Sequence, residues 1–240
     1  TINSTKITDG FNGFKIVHFS DLLLGSSQTL NSTKKIIKEI NNMEADIIIF
    51  TGDLISQNYQ LKEEDKEKLK EYLKSLNCSL YKYAVIGDND QANISLYKEI
   101  MSDSDFEILD NESTYLFYKD INPIEIVGIT DNYNLNQIIN SEEGITPSYR
   151  ILLTHKPDTI VNYNHEDIDL FLAGHSLGGQ VRLPFIGGIM KKEGAMTFID
   201  KHYNQNGIEA FISNGLGTEG YGFRTFNTPS ITKYRLNKEK

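Results

Sequence analysis

Residues 170–180 have the sequence LFLAGHSLGGQ, an apolar run followed by a histidine and a glycine-rich turn. The run predicts a buried β-strand, and His175 lies just past its carboxyl end, where α/β sheets bind their ligands. We therefore expect His175 to face a site. Leu177, in the same turn, has no atom that could bind a metal. The segment is typical of a metal-binding loop in which one binding residue has become leucine.

The length and composition of the chain predict a single domain spanning residues 1–240. Of the 240 residues, 39% are hydrophobic, which is enough for a substantial core. No apolar run is long enough for a membrane span or a signal peptide, so we expect membrane attachment only through a segment outside this sequence. The compartment is left open. The net charge of −9 argues against nucleic acid as a partner.

The first half of the chain alternates predicted strands and helices. Short apolar runs predict strands at residues 15–19, 46–50 and 81–86, and apolar residues at helical spacing predict helices at residues 30–43, 61–76 and 95–101. Asn31 or Ser32 is the expected N-cap of the first helix. Such β-helix-β units favour a parallel sheet.

The second half consists mainly of short, closely spaced strands. They are predicted at residues 114–118, 124–129, 150–154, 170–173, 181–183, 195–199, 209–212 and 231–236. Asn206-Gly207 predicts a tight hairpin. The two halves together predict an α/β fold in which two sheets form a sandwich with helices outside.

Five predicted strands end in a residue that can bind a metal. These residues are Asp21, Asp53, Asp88, His155 and His175. Two sheets that present the carboxyl ends of their strands at one edge would bring the carboxylates and imidazoles into one cleft, a donor set that suits Mn, Fe or Zn. The alternative for each aspartate is that it caps the following turn or helix. The repetition at five strand ends favours a metal site.

The segments around these strand ends resemble the motifs of the calcineurin-like metallophosphoesterases over nearly the whole chain. The motifs occur in the family's order, with Asp-x-His at Asp21-Leu22-Leu23, Gly-Asp at Gly52-Asp53, Gly-Asn-His-Asp at Gly87-Asp88-Asn89-Asp90, a lone histidine at His155 and Gly-His-x-His at Gly174-His175-Ser176-Leu177. The turns at residues 178–180 and 215–218 are similar to those of a bacterial branch whose members are often membrane-anchored. The resemblance implies a four-layer αββα sandwich of the calcineurin-like metallophosphoesterase type.

The resemblance also implies a two-metal mechanism and a role for each motif residue. Asp53 would bridge the two metals, and Asp21 would bind the first. The second metal would be bound by Asp88, His155 and His175, with Asp88 standing where the family has asparagine. The added negative charge of Asp88 would attract one cation and disfavour a phosphate dianion.

Three motif positions depart from the family pattern. Leu23 and Leu177 replace the two histidines of the first metal, and leucine offers no lone pair. Asn89 replaces the catalytic histidine; it can hydrogen-bond a phosphate oxygen but cannot transfer a proton near neutral pH. Both leucines fall at the site of the first metal. We therefore expect at most one divalent cation, Mn, Fe or Zn, bound by the residues of the second metal site. No metal and two metals remain as alternatives.

Two functions from different classes are consistent with this sequence. The first is a pseudoenzyme, a binding module in which hydrolysis of phosphate esters is absent or strongly reduced and the cleft binds a metal, a phosphorylated small molecule or a protein partner. The alternative is an active metal-dependent phosphoesterase that hydrolyses mono- or diesters with a reduced site. Asn89 and Arg224 are the candidate substrate-binding residues. The pocket walls come from loops such as residues 131–147, so the substrate is left open, and a scaffold with an empty cleft is a third possibility.

Overall fold

The computed structural model of the chain describes residues 1–130, 135, 138 and 144–239. The other residues of the loop at 131–147 lie outside this description. Within the described part of the chain, no helix has both the length and the apolar character needed to cross a bilayer.

The first of two large sheets is built mainly from the first half of the chain. Its strands are β1 (Ile2–Ser4), β2 (Lys15–Phe19), β3 (Ile47–Phe50), β4 (Lys82–Ala84), β5 (Phe106–Ile108) and β14 (Thr232–Lys238), in the order β1-β14-β2-β3-β4-β5. Strands β2 to β5 run parallel, because helical segments connect each strand to the next. These helices are α1 (Leu30–Asn41), α2 (Glu63–Lys74), α3 (Asp88–Gln91) and α4 (Ile94–Asp103).

The second sheet comes from the second half of the chain. Its strands are β6 (Glu112–Leu116), β7 (Ile124–Ile129), β8 (Tyr149–Thr154), β9 (Leu170–Ala173), β12 (His202–Gln205) and β13 (Ile208–Ile212), in the order β12-β13-β9-β8-β7-β6. The four central strands are parallel, and each edge strand is antiparallel to its neighbour. A small hairpin of β10 (Arg182–Leu183) and β11 (Gly187–Gly188) stands apart from both sheets.

The alternation of side chains along the strands explains how the layers pack. In β3, Ile47 and Ile49 lie in the core between the two sheets, whereas Ile48 and Phe50 pack against the helices on the other face. Because both faces of the strand are covered, it is apolar throughout. A third core covers the outer face of the second sheet. The predicted αββα sandwich is confirmed.

Most predicted strands are confirmed, but residues 195–199 do not form one. The Asp158 carboxylate accepts hydrogen bonds from the backbone N–H groups of Met196, Thr197 and Phe198, at 2.7, 3.1 and 3.0 Å. A side chain thus takes the donors that a neighbouring strand would need. The predicted hairpin at Asn206-Gly207 is confirmed between β12 and β13.

The N-cap of α1 is Thr29, and the prediction of Asn31 or Ser32 was wrong. The Thr29 side chain accepts a hydrogen bond from the Ser32 backbone N–H at 3.2 Å, and Ser32 Oγ accepts one from the Thr29 N–H at 2.8 Å. Ser32 is therefore the third residue of the helix and completes a capping box.

Candidate metal centre

Strand ends from both sheets meet at one edge of the sandwich. Asp21 and Asp53 follow β2 and β3, while His155 and His175 follow β8 and β9, and all four side chains are buried. Asp21, Asp53 and His175 adopt φ angles of 50°, 62° and 64°. Residues other than glycine rarely adopt this left-handed conformation, which costs on the order of 1–3 kcal/mol and is concentrated at functional sites.

Asp53, His155 and His175 each direct one donor atom to a common point. Asp53 Oδ2 lies 3.2 Å from His155 Nε2, which lies 3.1 Å from His175 Nδ1. Donor atoms of the three residues are within 4.8 Å of one another. With metal–donor bonds of about 2.1 Å, neighbouring donors of a tetrahedral zinc ion are about 3.4 Å apart. The observed spacing fits a divalent cation.

The orientation of both imidazoles is fixed by backbone carbonyl groups. His155 Nδ1 lies 2.6 Å from the Thr51 carbonyl oxygen, and His175 Nε2 lies 2.7 Å from that of Glu193. A carbonyl oxygen can only accept, so both of these ring nitrogens donate. The other nitrogen of each ring then faces the common point. Metal-bound histidines in proteins are held in the same way.

The charges of these groups depend strongly on one another. Burial has the largest single effect on the pKa of His155 and would lower it, but the Asp53 carboxylate, together with Asp21 and the Thr51 carbonyl group, raises it to about 10. Burial by itself would raise the pKa of Asp53, but His155 holds it well below its usual range. Burial and repulsion by His155 lower the pKa of His175 to about 3. Without a bound cation these shifts favour a proton on His155 Nε2, at the position that a cation would take.

Asp21 lies behind this cluster. Its Oδ2 accepts a hydrogen bond from the His175 backbone N–H at 3.0 Å, whereas its buried Oδ1 has no hydrogen-bond partner among the described residues. Burial raises the pKa of Asp21 to about 6. A buried carboxylate oxygen without a donor is costly unless it binds a water or an ion. A water or a cation beside Asp21 would satisfy this oxygen.

Asp88 is not part of the donor cluster. Its side chain is 46% exposed, with Oδ1 2.9 Å from Lys156 Nζ and Oδ2 3.8 Å from His175 Nδ1. The carboxylate forms an ion pair at the rim of the cleft. Its role as a metal ligand stays a prediction.

Asn89 reaches the centre of the site. Its Nδ2 donates to Asp53 Oδ2 at 2.6 Å, and its backbone N–H donates to Asp53 Oδ1 at 2.7 Å. Its Oδ1 accepts from the Gln57 N–H at 3.0 Å, which fixes the orientation of the amide. The amide group therefore borders the point where a ligand of the metal would bind.

Asp90 is a buried residue whose role the sequence did not indicate. Its carboxylate accepts hydrogen bonds from the backbone N–H groups of Asp53, Leu54 and Gly87, at 2.8, 2.9 and 2.9 Å. Burial and repulsion by Asp53 raise its pKa to about 7. Asp90 thus ties the turn after β3 to the turn after β4.

Leu23 and Leu177 are both buried on the Asp21 side of the cleft. They pack against two glycines of the late loop. A Cβ on Gly215 would lie 2.6 Å from Leu177 Cδ2 and 2.8 Å from Asp21 Cβ, and a Cβ on Gly217 would lie 2.6 Å from Leu23 Cβ. The close approach requires glycine at both positions. Apolar side chains and loop backbone therefore fill this side of the cleft.

Arg224, a predicted phosphate ligand, lies against the backbone of the same region. Its guanidinium group donates to the carbonyl oxygens of Leu177, Asn214 and Gly217. Burial lowers its pKa. These carbonyl groups already engage Nε and both terminal nitrogens. The role of Arg224 in binding a substrate stays a prediction.

Sequence reasoning missed two charged residues at the mouth of the cleft. Lys192 Nζ lies 2.6 Å from Glu219 Oε2, and Asn89 Nδ2 donates to Glu219 Oε1 at 3.1 Å. Both residues lie in loops without apolar periodicity. No spacing rule connects them to the strand ends, so the sequence carried no signal for them.

The fold and this edge define a metal-binding αββα sandwich in which aspartate and histidine donors follow the central parallel strands. The family model described as calcineurin-like phosphoesterase matches residues 14–180. The chain belongs to the calcineurin-like phosphoesterase family.

Similarity to individual proteins agrees with this assignment. The uncharacterized metallophosphoesterase YkuE of Bacillus subtilis (strain 168) is 31% identical, over 98% of this chain and 83% of the relative. The UDP-2,3-diacylglucosamine pyrophosphatase LpxG of Chlamydia muridarum is 27% identical, over 72% of this chain and 66% of the relative. The solved structure of the sulfate thiohydrolase SoxB of Thermus thermophilus is similar in fold, with a TM-score of 0.54 at 9% identity. The matched region covers 96% of this chain and 58% of the SoxB chain. That last similarity concerns the fold alone.

Proposed function

We propose that the cleft holds one divalent cation on Asp53, His155 and His175 and binds a phosphorylated ligand, while hydrolysis of phosphate esters is absent or strongly reduced. The observation that carries this proposal is the closed half of the cleft. Leu23 and Leu177 are 0% and 3% exposed, at the positions where the motif resemblance implies histidines of the first metal. A second cation would meet Asp21 and Asp53 but no imidazole.

The residues that remain can bind and orient a phosphate group better than they can cleave it. A cation in the site would polarise a phosphoryl oxygen. Asn89 can donate a hydrogen bond to such an oxygen, but its amide cannot supply a proton to a leaving group. Proton transfer by a positioned group normally contributes roughly 10²- to 10⁴-fold to a rate. The absence of a second cation would remove a further Lewis acid.

The alternative is a phosphoesterase that works with a reduced site. Three protein donors with an open position are also the usual arrangement of a catalytic zinc ion. The similarity to a protein named as a pyrophosphatase favours this alternative as well. The two functions make different predictions about turnover and similar predictions about metal binding.

Metal analysis tests the cation. The protein is loaded with zinc or manganese, freed of excess metal and analysed for bound metal per chain. We expect one equivalent, and we expect Asp53→Asn and His155→Gln to lose it. His165→Gln is the matched control, because His165 is exposed and its Nδ1 lies 3.2 Å from the Asn206 carbonyl oxygen, in a turn of the second sheet. Two equivalents in the parent would contradict the single site, and none would contradict the cation.

A hydrolysis assay separates the two functions. With nitrophenyl phosphate and added manganese, we expect the rate of the parent to equal that of Asp53→Asn. A measurable rate that disappears in Asp53→Asn and persists in His165→Gln would instead establish the reduced phosphoesterase. A measurable rate that is the same in all three proteins comes from a contaminant and leaves the protein itself without activity.

A further inference from the structure

The Glu219 carboxylate connects two donors at the mouth of the metal centre. Its Oε1 accepts from Asn89 Nδ2 at 3.1 Å, and its Oε2 lies 2.6 Å from Lys192 Nζ. The side chains of Lys192 and Glu219 are 27% and 36% exposed, so the pair is partly shielded from solvent. The carboxylate therefore lies between an amide and an ammonium group at the edge of the cleft.

Glu219 is held in this position by its own backbone. The Glu219 N–H donates to Gln180 Oε1 at 2.8 Å, and Gln180 Nε2 donates back to the Glu219 carbonyl oxygen at 3.0 Å. Gln180 is 2% exposed, and its Nε2 also donates to the Tyr221 carbonyl oxygen at 2.9 Å. A buried amide thus fixes the loop that carries Glu219, and the contacts of the carboxylate are not those of a freely moving surface side chain.

The two donors that hold Glu219 also border the metal centre. Asn89 Nδ2 contacts Asp53 Oδ2 at 2.6 Å, so one amide nitrogen touches both a metal donor and Glu219. The positive charge of Lys192 offsets part of the effect of burial on the pKa values of Asp21 and Asp53. Lys192 also directly precedes Glu193, whose carbonyl oxygen lies 2.7 Å from His175 Nε2, so this part of the loop lies beside the metal centre.

An ammonium group and an amide N–H₂ group that converge on one carboxylate would serve a phosphate oxygen equally well. Both anions accept hydrogen bonds, and hydrogen bonds between charged groups are about twice as strong as neutral ones. We propose that Lys192 and Asn89 form a binding site for a phosphoryl oxygen at the mouth of the metal centre, and that the Glu219 carboxylate occupies this site as a competing internal anion. The proposal rests on the proposed function in one respect, since it takes the ligand to be phosphorylated.

This arrangement gives Lys192 part of the role that a second cation has elsewhere in the family. The ammonium group would supply a positive charge to the phosphate at the mouth of the cleft, held there by its ion pair with Glu219 until the phosphate takes its place. For the phosphate to bind, Glu219 must leave Lys192 and Asn89. Its negative charge opposes binding in two ways, by occupying the donors and by repelling the incoming anion.

Binding of inorganic phosphate to the zinc-loaded protein, measured by titration calorimetry, tests the site. We expect Glu219→Gln and Glu219→Ala to bind phosphate at least about tenfold more tightly than the parent, and Lys192→Gln at least about tenfold more weakly, which is the size of one charge-assisted hydrogen bond. The matched control is Lys191→Gln, which removes an exposed charge next to Lys192 and should leave the affinity unchanged. Adding Lys192→Gln to Glu219→Gln should remove the gain.

The opposite signs of these effects make the result decisive. Equal affinities of the parent and both Glu219 variants would overturn the competition, and an unchanged affinity in Lys192→Gln would overturn the site. An equal loss in Lys191→Gln and Lys192→Gln would reduce the effect to overall charge and overturn the specific site. If the zinc-loaded parent and all variants fail to bind phosphate, the proposal of a phosphorylated ligand fails together with this inference. If the parent binds phosphate tightly and the Glu219 variants bind it with the same affinity, only this inference is overturned. Zinc content and thermal unfolding of each variant show that the fold is retained.

Discussion

The buried His18 should make the fold lose stability as the pH falls. It lies in β2 with 1% of its surface exposed, and its Nε2 lies 2.8 Å from Thr51 Oγ1 while Nδ1 has no partner among the described residues. Burial lowers its pKa from 6.5 to about 3. Below pH 6.5 the unfolded chain takes up a proton at this residue, but the folded chain does not until about pH 3. Stability is therefore lost as the pH falls through this range.

The size of the loss follows from the shift. Each pH unit below 6.5 lowers the free energy of unfolding by about 1.36 kcal/mol. The effect of His18 alone should therefore make the free energy of unfolding about 2 kcal/mol smaller at pH 5 than at pH 7.5. Buried carboxylates titrate in the same range, so the parent is compared with His18→Gln, which can still hydrogen-bond Thr51. Both are unfolded with urea at pH 7.5 and pH 5 in the presence of a chelator.

We expect the free energy of unfolding to fall by about 2 kcal/mol more in the parent than in His18→Gln. His165→Gln, which removes an exposed histidine, should behave like the parent. If the parent and His18→Gln lose the same free energy between the two pH values, His18 is not held neutral by the fold and the argument from burial is refuted.

Four further predictions concern the packing, a helix cap, a loop and the site. Leu23→Ala should lower the free energy of unfolding in urea by about 3 kcal/mol because it leaves a cavity in a filled region; a loss below about 1 kcal/mol would show that this half of the cleft is loosely packed. Thr29→Ala removes the cap of α1 and should cost about 1 kcal/mol, and an unchanged stability would contradict the capping box. Asp158→Ala leaves three backbone N–H groups without their acceptor and should cost about 1–3 kcal/mol, with Asp158→Asn intermediate because it keeps an acceptor; equal costs would show that the acceptor is not what matters. The combined change Leu23→His, Asn89→His and Leu177→His should raise bound zinc from one to two equivalents in elemental analysis, and an unchanged content would show that the cleft geometry no longer suits a second cation.

The two-sheet fold was predictable because its strands are short apolar runs that end in polar turns. Strands such as residues 47–50 and 170–173 are buried on both faces, so they consist of apolar residues throughout and can be recognised in the sequence. The segment at residues 195–199 has a similar apolar pattern, but Asp158 takes its backbone donors. Whether a distant side chain will intervene in this way cannot be found from local pattern.

The donors of the metal centre were predictable for the same reason as the fold. His155 and His175 come directly after strands whose carboxyl ends must meet at one edge. Asp88 also follows a strand, but it begins α3, and the ion pair with Lys156 turns its carboxylate to the rim. Glu219 lies on a loop whose course depends on a buried amide far away in sequence, and nothing in its neighbours indicates the site.

The conformation of the two leucines bears on whether the cleft could be restored. Leu23 and Leu177 adopt φ angles of 48° and 50°, a left-handed conformation that costs a leucine roughly 1–2 kcal/mol. Packing of an apolar side chain does not require this backbone, so other contacts must hold it. The Leu23 N–H donates to the Asp53 carbonyl oxygen at 3.0 Å, and the Leu177 carbonyl oxygen accepts from Asn227 Nδ2 and, at 3.3 Å, from Arg224. These backbone contacts help to hold both turns without involving the leucine side chains. A histidine at either position would therefore start from the backbone geometry that the leucine has now, so a rebuilt protein that gains no second equivalent of zinc would place the obstacle elsewhere in the cleft.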